Sequence, residues 1–336
     1  MHFLIWGAGA IGGTIGAYLA RAGHDVVFVD RDAAHVDAIN RSGLTITGPI
    51  AEFTAHAQAF TPDTVPGQYG VVLLCVKAQD TGSALRGLAP HLAPDGYVVS
   101  VQNGLNELQI ADIVGEEHTV GAFVNFGADF LEPGRVLYGG RGAVVVGELS
   151  GATTRRITAL HAALLAFEPN AIITDNIWGY LWAKLAYGAQ LFATALTNES
   201  IADCLADPAY YDVYIGLAQE VLRVAAVKGI HPLPFNGFDP LAFLPDTPRS
   251  VSLQSLDEMV AFNRKSAKSH SGIWRDLAVR KRRTEVDALL GPVVHFGEEL
   301  GVPTPLTACV IDQIHAIEDG RRPQQEANLD ELKALL

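Results

Sequence analysis

The chain has 336 residues, of which 49% are hydrophobic and 18% charged, with 33 Gly and 17 Pro spread along it. This composition excludes a disordered protein, and the length predicts two domains because a single core stops growing at about 250–300 residues. The formal net charge of −13, from 37 acidic and 24 basic residues, argues against a nucleic-acid partner, since such binding depends on clustered Lys and Arg.

The first half of the chain, residues 1–174, alternates short β-branched apolar runs with helical segments. This alternation predicts an α/β domain built on a parallel sheet that is buried on both faces. The predicted strands are residues 3–7, 25–30, 70–77, 96–104, 118–127, 136–140, 143–149 and 171–175.

A glycine-rich turn follows the first apolar run, where residues 4–13 read LIWGAGAIGG. The pattern G-x-G-x-x-G is formed by Gly7, Ala8, Gly9, Ala10, Ile11 and Gly12. A strand before this pattern and a helix after it are typical of a Rossmann domain, in which the helix N-terminus binds the pyrophosphate of a dinucleotide. A structural turn without a nucleotide is the alternative interpretation.

The ribose of the cofactor is expected at Asp30, which ends the next predicted strand eighteen residues after Gly12. A carboxylate at this position accepts hydrogen bonds from the ribose hydroxyls and repels the 2′-phosphate of NADP, so it favours NAD. Arg31 follows directly and could bind that phosphate, which leaves NADP open. Asp30 could also be only a turn or helix-capping residue.

Two further predicted strands end in polar residues: residues 73–80 read LLCVKAQD and residues 100–107 read SVQNGLNE. Ligands of an open α/β sheet lie beyond the carboxyl ends of its strands. We therefore expect four side chains to reach the nicotinamide half of the cofactor, namely Lys77, Gln79, Gln102 and Asn103. Taken alone, Lys77 could equally be a surface residue.

From residue 175 to residue 336 the strand signals nearly vanish, which predicts a second, all-helical domain. Its predicted helices are residues 177–197, 210–229, 256–268 and 284–301. Residues 231–250 are rich in Pro and cannot form a long helix, because each Pro removes a donor and restricts the preceding residue. A loop of this length is often functional, and we expect it to cover a site.

The three cysteines, Cys75, Cys204 and Cys309, lie far apart and form no C-x-x-C pair. They predict neither a metal site nor a disulfide framework, and this pattern is consistent with a protein of a reducing compartment. No signal peptide is evident, and no apolar run reaches the roughly 20 residues that span a bilayer. We therefore expect a cytoplasmic protein without a membrane partner.

Five motifs occur in order along the chain: GAGAIG at residues 7–12, CVKAQ at 75–79, VQNG at 101–104, LWAKL at 181–185 and RRTEVD at 282–287. Together they resemble the ketopantoate reductase family over nearly the whole chain. The first motif is common to Rossmann proteins, whereas the Lys of W-x-K-L and the Glu of T-E-V-D are more diagnostic. The resemblance implies a Rossmann NAD(P)-binding domain, a helical substrate-binding and catalytic domain, and reduction of a 2-keto acid by NADPH.

By position, the resemblance implies that Lys184 is the general acid, that Asn103 orients this lysine and the substrate, and that Glu285 is a substrate-site carboxylate near the cofactor ribose. The chemistry agrees, because hydride addition to a carbonyl builds an alkoxide that an ammonium stabilises and protonates. Two structural alternatives stay open. Lys184 could extend from an apolar helix face to water, and Glu285 could belong to an ordinary helix start beside a capping Thr284.

The chain departs from the family pattern in three features. Relatives usually carry Asn four and eight residues after the catalytic lysine, where this chain has Gly188 and Phe192. Relatives also usually carry a Ser-Ser pair, the second of which meets the substrate carboxylate, and its nearest equivalents here are Ser271 and Gly272. Asp30 replaces the phosphate-accepting residue expected of an NADPH enzyme. The expected substrate contacts are therefore Asn103, Lys184, Gly188, Ser271 and Gly272.

The first departure bears on the substrate, because two amides give way to open space and an aromatic surface. The hydroxyl of ketopantoate would be left unpaired, at a cost of about 1–3 kcal/mol. We therefore hypothesise that ketopantoate is not the main substrate, and that a keto acid bulkier or more apolar at the 3-position is. A preference for NAD also leaves alcohol oxidation open as the working direction.

Two other functions fit parts of the sequence. A β-hydroxyacid dehydrogenase of the 6-phosphogluconate dehydrogenase type shares the architecture, but those enzymes usually have a Gly-x-x-Gly turn ahead of the lysine, and this chain has only Gly179 there. A non-catalytic redox sensor that binds a dinucleotide would not need a proton donor such as Lys184. The apolar helices are compatible with a homodimer but do not establish one.

Overall fold

A computed structural model describes residues 1–265 and 269–336 of the chain. These residues form two compact units, Met1–Ile177 and Trp178–Leu336. The sequence placed the boundary slightly earlier, after residue 174. Residues 266–268, which end the predicted helix at 256–268, lie outside the described residues.

Every residue of the first unit is described, and the unit is built on one ten-stranded sheet. Its strands are β1 (His2–Trp6), β2 (Asp25–Val29), β3 (Leu44–Thr47), β4 (Phe53–Ala55), β5 (Gln58–Phe60), β6 (Tyr69–Leu74), β7 (Leu92–Ser100), β8 (Thr119–Glu132), β9 (Arg135–Glu148) and β10 (Ile172–Ile173). They lie in the order β4-β3-β9-β8-β7-β6-β1-β2-β5, with β10 beside β9. The strands from β5 to β8 in this order pair in parallel, as the Rossmann fold requires.

The sheet as a whole is mixed, whereas the sequence predicted a parallel one. β8 and β9 form a long antiparallel hairpin, and β3 and β4 also pair antiparallel. The predicted strands at 136–140 and 143–149 are both parts of β9, because Gly139, Gly140 and Gly142 interrupt the apolar pattern while the ladder with β8 continues past them after a register shift. β3, β4 and β5 are too short to leave a pattern that could be predicted.

The helices of the first unit are α1 (Ala10–Arg21), α2 (Ala33–Ser42), α3 (Thr81–Leu88), α4 (Asn106–Val114) and α5 (Arg155–Leu164). Helices cover the sheet on both faces, and successive residues of β1 belong to different apolar clusters. Phe3 and Ile5 pack in one cluster, and Leu4 and Trp6 in the other. This double burial explains the nearly continuous apolar runs of the central strands.

The described residues of the second unit form helices, which confirms the predicted fold class. They are α6 (Ile177–Thr194), α7 (Ile201–Ala206), α8 (Tyr211–Val227), α9 (Arg249–Arg264), α10 (Gly272–Trp274), α11 (Val286–Leu289), α12 (Gly291–Leu300), α13 (Pro305–Glu318) and α14 (Ala327–Lys333). The predicted helix at 284–301 is two helices, α11 and α12. None of the helices in the described ranges is long and apolar enough to cross a membrane.

A buried ion pair ties the end of β9 to α5. Glu148 is 3% exposed and accepts hydrogen bonds from Arg156 Nε at 2.8 Å and from Thr154 Oγ1 at 2.5 Å. Burial by itself raises the pKa of this carboxyl, but the hydrogen bonds and charge of its partners outweigh burial and hold the pKa below its ordinary value. The pair therefore stabilises the fold above the unfolded-state pKa of about 4.3, and this contribution is lost as the pH falls through the lower folded-state pKa.

We expect Glu148→Gln to lower the free energy of unfolding at pH 7 by about 1–3 kcal/mol. This is less than for a fully buried pair, because the Arg156 side chain is 29% exposed. Urea denaturation at pH 7 and near pH 3 measures the effect, which should shrink at the lower pH. Glu132→Gln, which removes an exposed ion pair with Arg135 on the same hairpin, should cost under about 0.5 kcal/mol. Equal losses at both pH values would contradict this assignment.

Candidate active site

The carboxyl ends of four adjacent parallel strands lie in register at one edge of the sheet. Trp6 of β1 pairs with Val29 of β2 and with Leu74 of β6, and Leu74 pairs with Ser100 of β7. The segments that follow these strand ends are residues 7–12, 30–31, 77–79 and 102–103. The fold thus brings the predicted cofactor-binding segments to one edge, which we call the nucleotide edge.

The glycine-rich turn at this edge requires glycine at two positions and leaves space at a third. Gly7 has a φ of +102°, and a Cβ added there would lie 2.8 Å from the backbone nitrogen of Val76. A Cβ at Gly12 would lie 2.1 Å from the carbonyl oxygen of Gly7. At Gly9 an added Cβ would meet no atom within 4 Å. Gly7 and Gly12 therefore serve the turn, and Gly9 leaves room for a ligand to approach the backbone.

α1 begins directly after this space, with Gly9 at its N-cap and no side chain capping it. The first N–H groups of a helix lack partners within the helix and carry a partial positive charge. They can therefore bind the two phosphates of a dinucleotide. The open space at Gly9 and the uncapped helix start fit the pyrophosphate of NAD(P).

Asp30 and Arg31 follow β2, and each contacts an aspartate. Asp30 Oδ1 accepts the N–H of Asp32 at 3.0 Å, so its carboxylate is oriented by the turn. The N-cap of α2 is Asp32, which accepts the N–H of Ala34 at 2.9 Å; the capping role considered for Asp30 thus belongs to Asp32. Arg31 is 82% exposed in its side chain, with Nη1 3.6 Å from Oδ2 of Asp80. A protein carboxylate therefore already faces the guanidinium that would bind a 2′-phosphate.

Gln102 positions two turns of the nucleotide edge, whereas the sequence predicted that it reaches the cofactor. It is 5% exposed, and its Nε2 donates to the Val76 carbonyl and to Thr81 Oγ1, both at 2.8 Å. Thr81 Oγ1 donates to Asn106 Oδ1 at 3.0 Å, and Asn106 Nδ2 donates to the Asn103 carbonyl at 2.6 Å. This network links the turn after β6 to the turn after β7, where Asn103 is exposed.

The other predicted residues of this edge are Lys77 and Gln79. Lys77 is half-buried and is the N-cap of the 3₁₀ turn Ala78–Asp80, and Gln79 is exposed. Both lie beyond the carboxyl end of β6, at the place where open α/β sheets bind ligands. Their contacts with the nicotinamide half stay a prediction.

His35 belongs to the same edge and was not predicted. Its Nδ1 accepts the backbone N–H of Gly134 at 2.9 Å, and its Nε2 lies 2.9 Å from the Ala8 carbonyl oxygen. Because a backbone N–H can only donate, Nε2 carries the proton and donates it to Ala8. The ring is 1% exposed and packs against Phe130 at 5.0 Å between centroids. His35 therefore holds the second residue of the glycine-rich turn, a role that no spacing in the sequence indicates.

We expect His35→Ala to raise the KM for NADH about 5-fold or more, with a smaller effect on kcat, because the Ala8 carbonyl loses its buried donor. His35→Gln, which keeps one donor and one acceptor, should recover part of the loss. Steady-state kinetics and titration of NADH fluorescence measure the effect, with the exposed His56 replaced by Ala as control. A variant that is less stable but binds NADH normally would show that His35 only supports the fold.

In the second unit, five partly exposed residues of α6 form one stripe: Tyr180, Lys184, Tyr187, Gly188 and Leu191. These positions are three or four residues apart and so lie on one face of the helix. Their neighbours Ala183, Leu185 and Ala186 are at most 2% exposed. The half-buried Lys184 thus lies on this stripe, which we call the lysine face.

Two predictions about this face have different outcomes. An added Cβ at Gly188 would meet no atom within 4 Å, so the predicted open space is present. The predicted aromatic surface at Phe192 is wrong, because this residue is 0% exposed. Eight residues after Lys184 the helix has rotated by about 80° away from it. Tyr187, one residue before Gly188, supplies an aromatic ring on the lysine face instead.

The other predicted substrate residues lie around α10 and α11. Ser271 is 8% exposed, and its Oγ accepts the Trp274 N–H at 3.1 Å as the N-cap of α10. Gly272 beside it is exposed, and an added Cβ would meet nothing within 4 Å. Glu285 is half-buried at the N-cap position of α11, while Thr284 Oγ1 donates to Glu318 at 2.8 Å. The substrate contacts of Ser271, Gly272 and Glu285 stay predictions.

Thiol and metal chemistry find no support in the described part of the chain. No group of three or more His, Cys, Asp or Glu side chains there is arranged to hold a metal ion. Burial raises the pKa of Cys75, Cys204 and Cys309 above the ordinary value of a thiol. Thiols of this kind stay protonated near neutral pH and are poor nucleophiles.

The Rossmann sheet, its glycine-rich turn and the acidic residue after β2 define a dinucleotide-binding protein with an added helical unit. Sequence models described as "Ketopantoate reductase PanE/ApbA" and "Ketopantoate reductase PanE/ApbA C terminal" match residues 3–151 and 176–318. The chain therefore belongs to the ketopantoate reductase family and is an NAD(P)-dependent oxidoreductase acting on CH–OH groups. This assignment replaces the redox-sensor and 6-phosphogluconate dehydrogenase alternatives.

Curated relatives share about a quarter of their residues with the chain over nearly its full length. The 2-dehydropantoate 2-reductase of Pyrococcus horikoshii is 26% identical over 309 residues, which cover 91% of this chain and 94% of the relative. The enzyme of the same name from Archaeoglobus fulgidus is 28% identical over 318 residues, with coverage of 94% and 97%. These names do not support the expectation that ketopantoate is not the main substrate.

Solved structures of other proteins have the same fold as this chain. A PanE/ApbA family ketopantoate reductase from Ralstonia eutropha JMP134 has a TM-score of 0.79 and 28% identity, with coverage of 96% of this chain and 99% of that chain. D-mandelate dehydrogenase with NADH and anilino(oxo)acetate has a TM-score of 0.81 and 23% identity, with coverage of 95% and 99%. At that identity the second likeness shows the fold alone.

Proposed function

We propose that the protein reduces a 2-keto acid to the 2-hydroxy acid, with Lys184 as the proton donor. The observation that carries this proposal is the lysine face of α6, where the half-buried lysine of W-x-K-L shares one helix face with Tyr187 and the open space at Gly188. NADH or NADPH supplies the hydride when bound. An ammonium held beside the substrate stabilises the negative charge that develops on the carbonyl oxygen.

The first unit is proposed to bind the cofactor. Residues 7–12 would hold the pyrophosphate through backbone N–H groups, and Asp30 would accept the ribose hydroxyls. Lys77, Gln79 and Asn103 would contact the nicotinamide half. The Arg31–Asp80 contact supports NADH as the preferred donor.

The remaining residues are proposed to bind and orient the substrate. Lys184 would first stabilise the alkoxide and then protonate it. Asn103 would orient the lysine and the substrate carbonyl, and Ser271 with Gly272 would bind the substrate carboxylate. Glu285 would lie beside the cofactor ribose as a substrate-site carboxylate.

Two observations favour different substrates. The names of the curated relatives favour ketopantoate. The open space at Gly188 and the aromatic ring of Tyr187 favour a keto acid with an apolar group at the 3-position. We propose the second, because it rests on the side chains of this chain.

The test is an assay of the purified protein with a panel of 2-keto acids that includes ketopantoate, using NADH and NADPH separately and following absorbance. A kcat/KM above about 10⁴ M⁻¹s⁻¹ for one of them supports the function. A value near 10⁶ M⁻¹s⁻¹ for ketopantoate, exceeding that of every apolar keto acid, would overturn the substrate preference. Absence of turnover with all of them would overturn the function. The homodimer and the cytoplasmic location stay predictions.

A further inference from the structure

The loop predicted to cover a site contains a tight hairpin next to α6. Phe235 and Phe238 exchange two backbone N–H···O hydrogen bonds of 3.1 and 3.0 Å, and Gly237 between them has a φ of +94°. Leu233 donates its N–H to the Gly179 carbonyl at 3.2 Å, so the chain is fixed to the first turn of α6 just before it forms this hairpin. We call residues 235–238 the FNGF hairpin.

The FNGF hairpin packs its two aromatic rings against Tyr187 of the lysine face. The Tyr187 ring centroid lies 6.0 Å from that of Phe235 and 5.5 Å from that of Phe238. Phe238 is 3% exposed and stacks on Phe243 at 5.4 Å with nearly parallel planes. Phe238 is therefore the anchor of the hairpin, whereas Phe235 and Tyr187 are partly exposed.

Tyr187 has a buried phenol next to Asn263. Burial raises the pKa of this phenol, and the Asn263 side chain hydrogen-bonds its hydroxyl. Asn263 is itself fixed, since its Nδ2 donates to the Met259 carbonyl at 2.8 Å. The ring of Tyr187 packs against Phe235 and Phe238, and Gly188 beside it contributes no polar side chain.

We propose that Tyr187 and Phe235 form the apolar wall of the subsite for the substrate side chain, with Gly188 as its floor. Through this wall the FNGF hairpin selects 2-keto acids that carry a branched aliphatic or aromatic group at the 3-position. The inference rests on the proposed function, in which Lys184 meets the keto oxygen. Lys184 and Gly188 are four residues apart on one face of α6, a rise of about 6 Å. A substituent extending from the carbonyl that Lys184 protonates would therefore reach Gly188.

A hydroxylated side chain is disfavoured at the same place for a physical reason. Its hydroxyl would lose water and meet the rings of Tyr187 and Phe235 and the open space at Gly188. A substrate hydroxyl that is buried without a hydrogen-bond partner costs its desolvation free energy, so the site discriminates against substrates that carry one. An apolar group of similar size gains from burial against the two rings.

The test measures the ratio of kcat/KM for 4-methyl-2-oxopentanoate to kcat/KM for ketopantoate. These two substrates differ in polarity more than in size. Phe235→Ala should lower this ratio about 10-fold or more. Gly188→Asn should lower it as well by restoring an amide, and the space at Gly188 accepts a side chain without a clash. Leu241→Ala, at a 48% exposed position of the same loop, should leave the ratio within about two-fold of wild type.

Phe235→Leu is a control for unfolding of the FNGF hairpin, because it keeps an apolar side chain at this position. It should lower the efficiency with phenylpyruvate relative to 4-methyl-2-oxopentanoate, because the aromatic contact is lost. A ratio for Phe235→Ala within about two-fold of wild type, in a protein that binds NADH normally, would overturn the subsite while the proposed function stands. Failure of the wild type to turn over any 2-keto acid would overturn both.

Discussion

Replacing Lys184 by alanine should lower kcat for 2-keto acid reduction at least about 100-fold, while the dissociation constant of NADH stays within about two-fold. The ammonium is proposed to act on charge that develops as the carbonyl is reduced, so its loss weakens the transition state more than either ground state. The cofactor is proposed to be held by residues of the first unit, to which Lys184 does not belong. Stopped-flow or steady-state absorbance and NADH fluorescence measure the two quantities.

Two further substitutions at this position separate charge from proton donation. Lys184→Met keeps the length of the side chain and should be as inactive as the alanine variant. Lys184→Arg keeps the charge but donates a proton poorly, because a guanidinium stays protonated in proteins. It should therefore recover substrate affinity more than kcat. Lys265→Ala, at an exposed lysine of the same unit, is the matched control, and wild-type kcat in Lys184→Met would remove the proposed mechanism.

The parts of the site that could be predicted from the sequence are those whose chemistry is local. The turn at 7–12 needs Gly7 for its positive φ and Gly12 for close packing, and both requirements leave glycines at fixed spacing. Asp30 could be predicted for the same reason, since it directly follows β2 and the register of the sheet carries it to the same edge. The helical second half was predictable because its apolar residues recur at helical spacing.

Contacts between distant segments could not be predicted. His35 joins the glycine-rich turn to Gly134, which lies 99 residues away, and no local pattern records that contact. Gln102 follows a strand as a ligand-binding residue would, yet its amide turns inward to Thr81. In both cases a single polar side chain satisfies buried backbone or hydroxyl groups, a demand that exists only after folding.

The error at Phe192 has a geometric origin. Counting in steps of four from Lys184 follows a helix face only approximately, because each step adds about 40° of rotation. After one step Gly188 is still on the lysine face, and after two steps Phe192 is in the core, where it is fully buried. The aromatic ring of that face comes from a step of three, at Tyr187, and from a loop residue, Phe235, whose approach to α6 depends on tertiary structure.

Replacing Asp30 by serine should shift the ratio of kcat/KM for NADH over NADPH about 100-fold towards NADPH. The carboxylate is proposed to accept hydrogen bonds from the ribose, and charged hydrogen bonds contribute about 1.5–3 kcal/mol. Removal of the carboxylate also ends the repulsion of a 2′-phosphate. It lowers the negative charge around Arg31, whose guanidinium otherwise pairs with Asp80. The two effects act in the same direction on the ratio, although they act on different cofactors.

Two comparisons make this expectation specific to the nucleotide edge. Asp25→Ser removes a carboxylate at the opposite end of β2, where Asp25 pairs with His2 at 3.6 Å, and it should leave the ratio unchanged. Adding Asp80→Asn to Asp30→Ser should raise the efficiency with NADPH further, because Arg31 loses its competing carboxylate and can bind the phosphate. If Asp30→Ser lowered the efficiency with both cofactors equally, Asp30 would act only through its turn with Asp32, and the NADH preference would need another source.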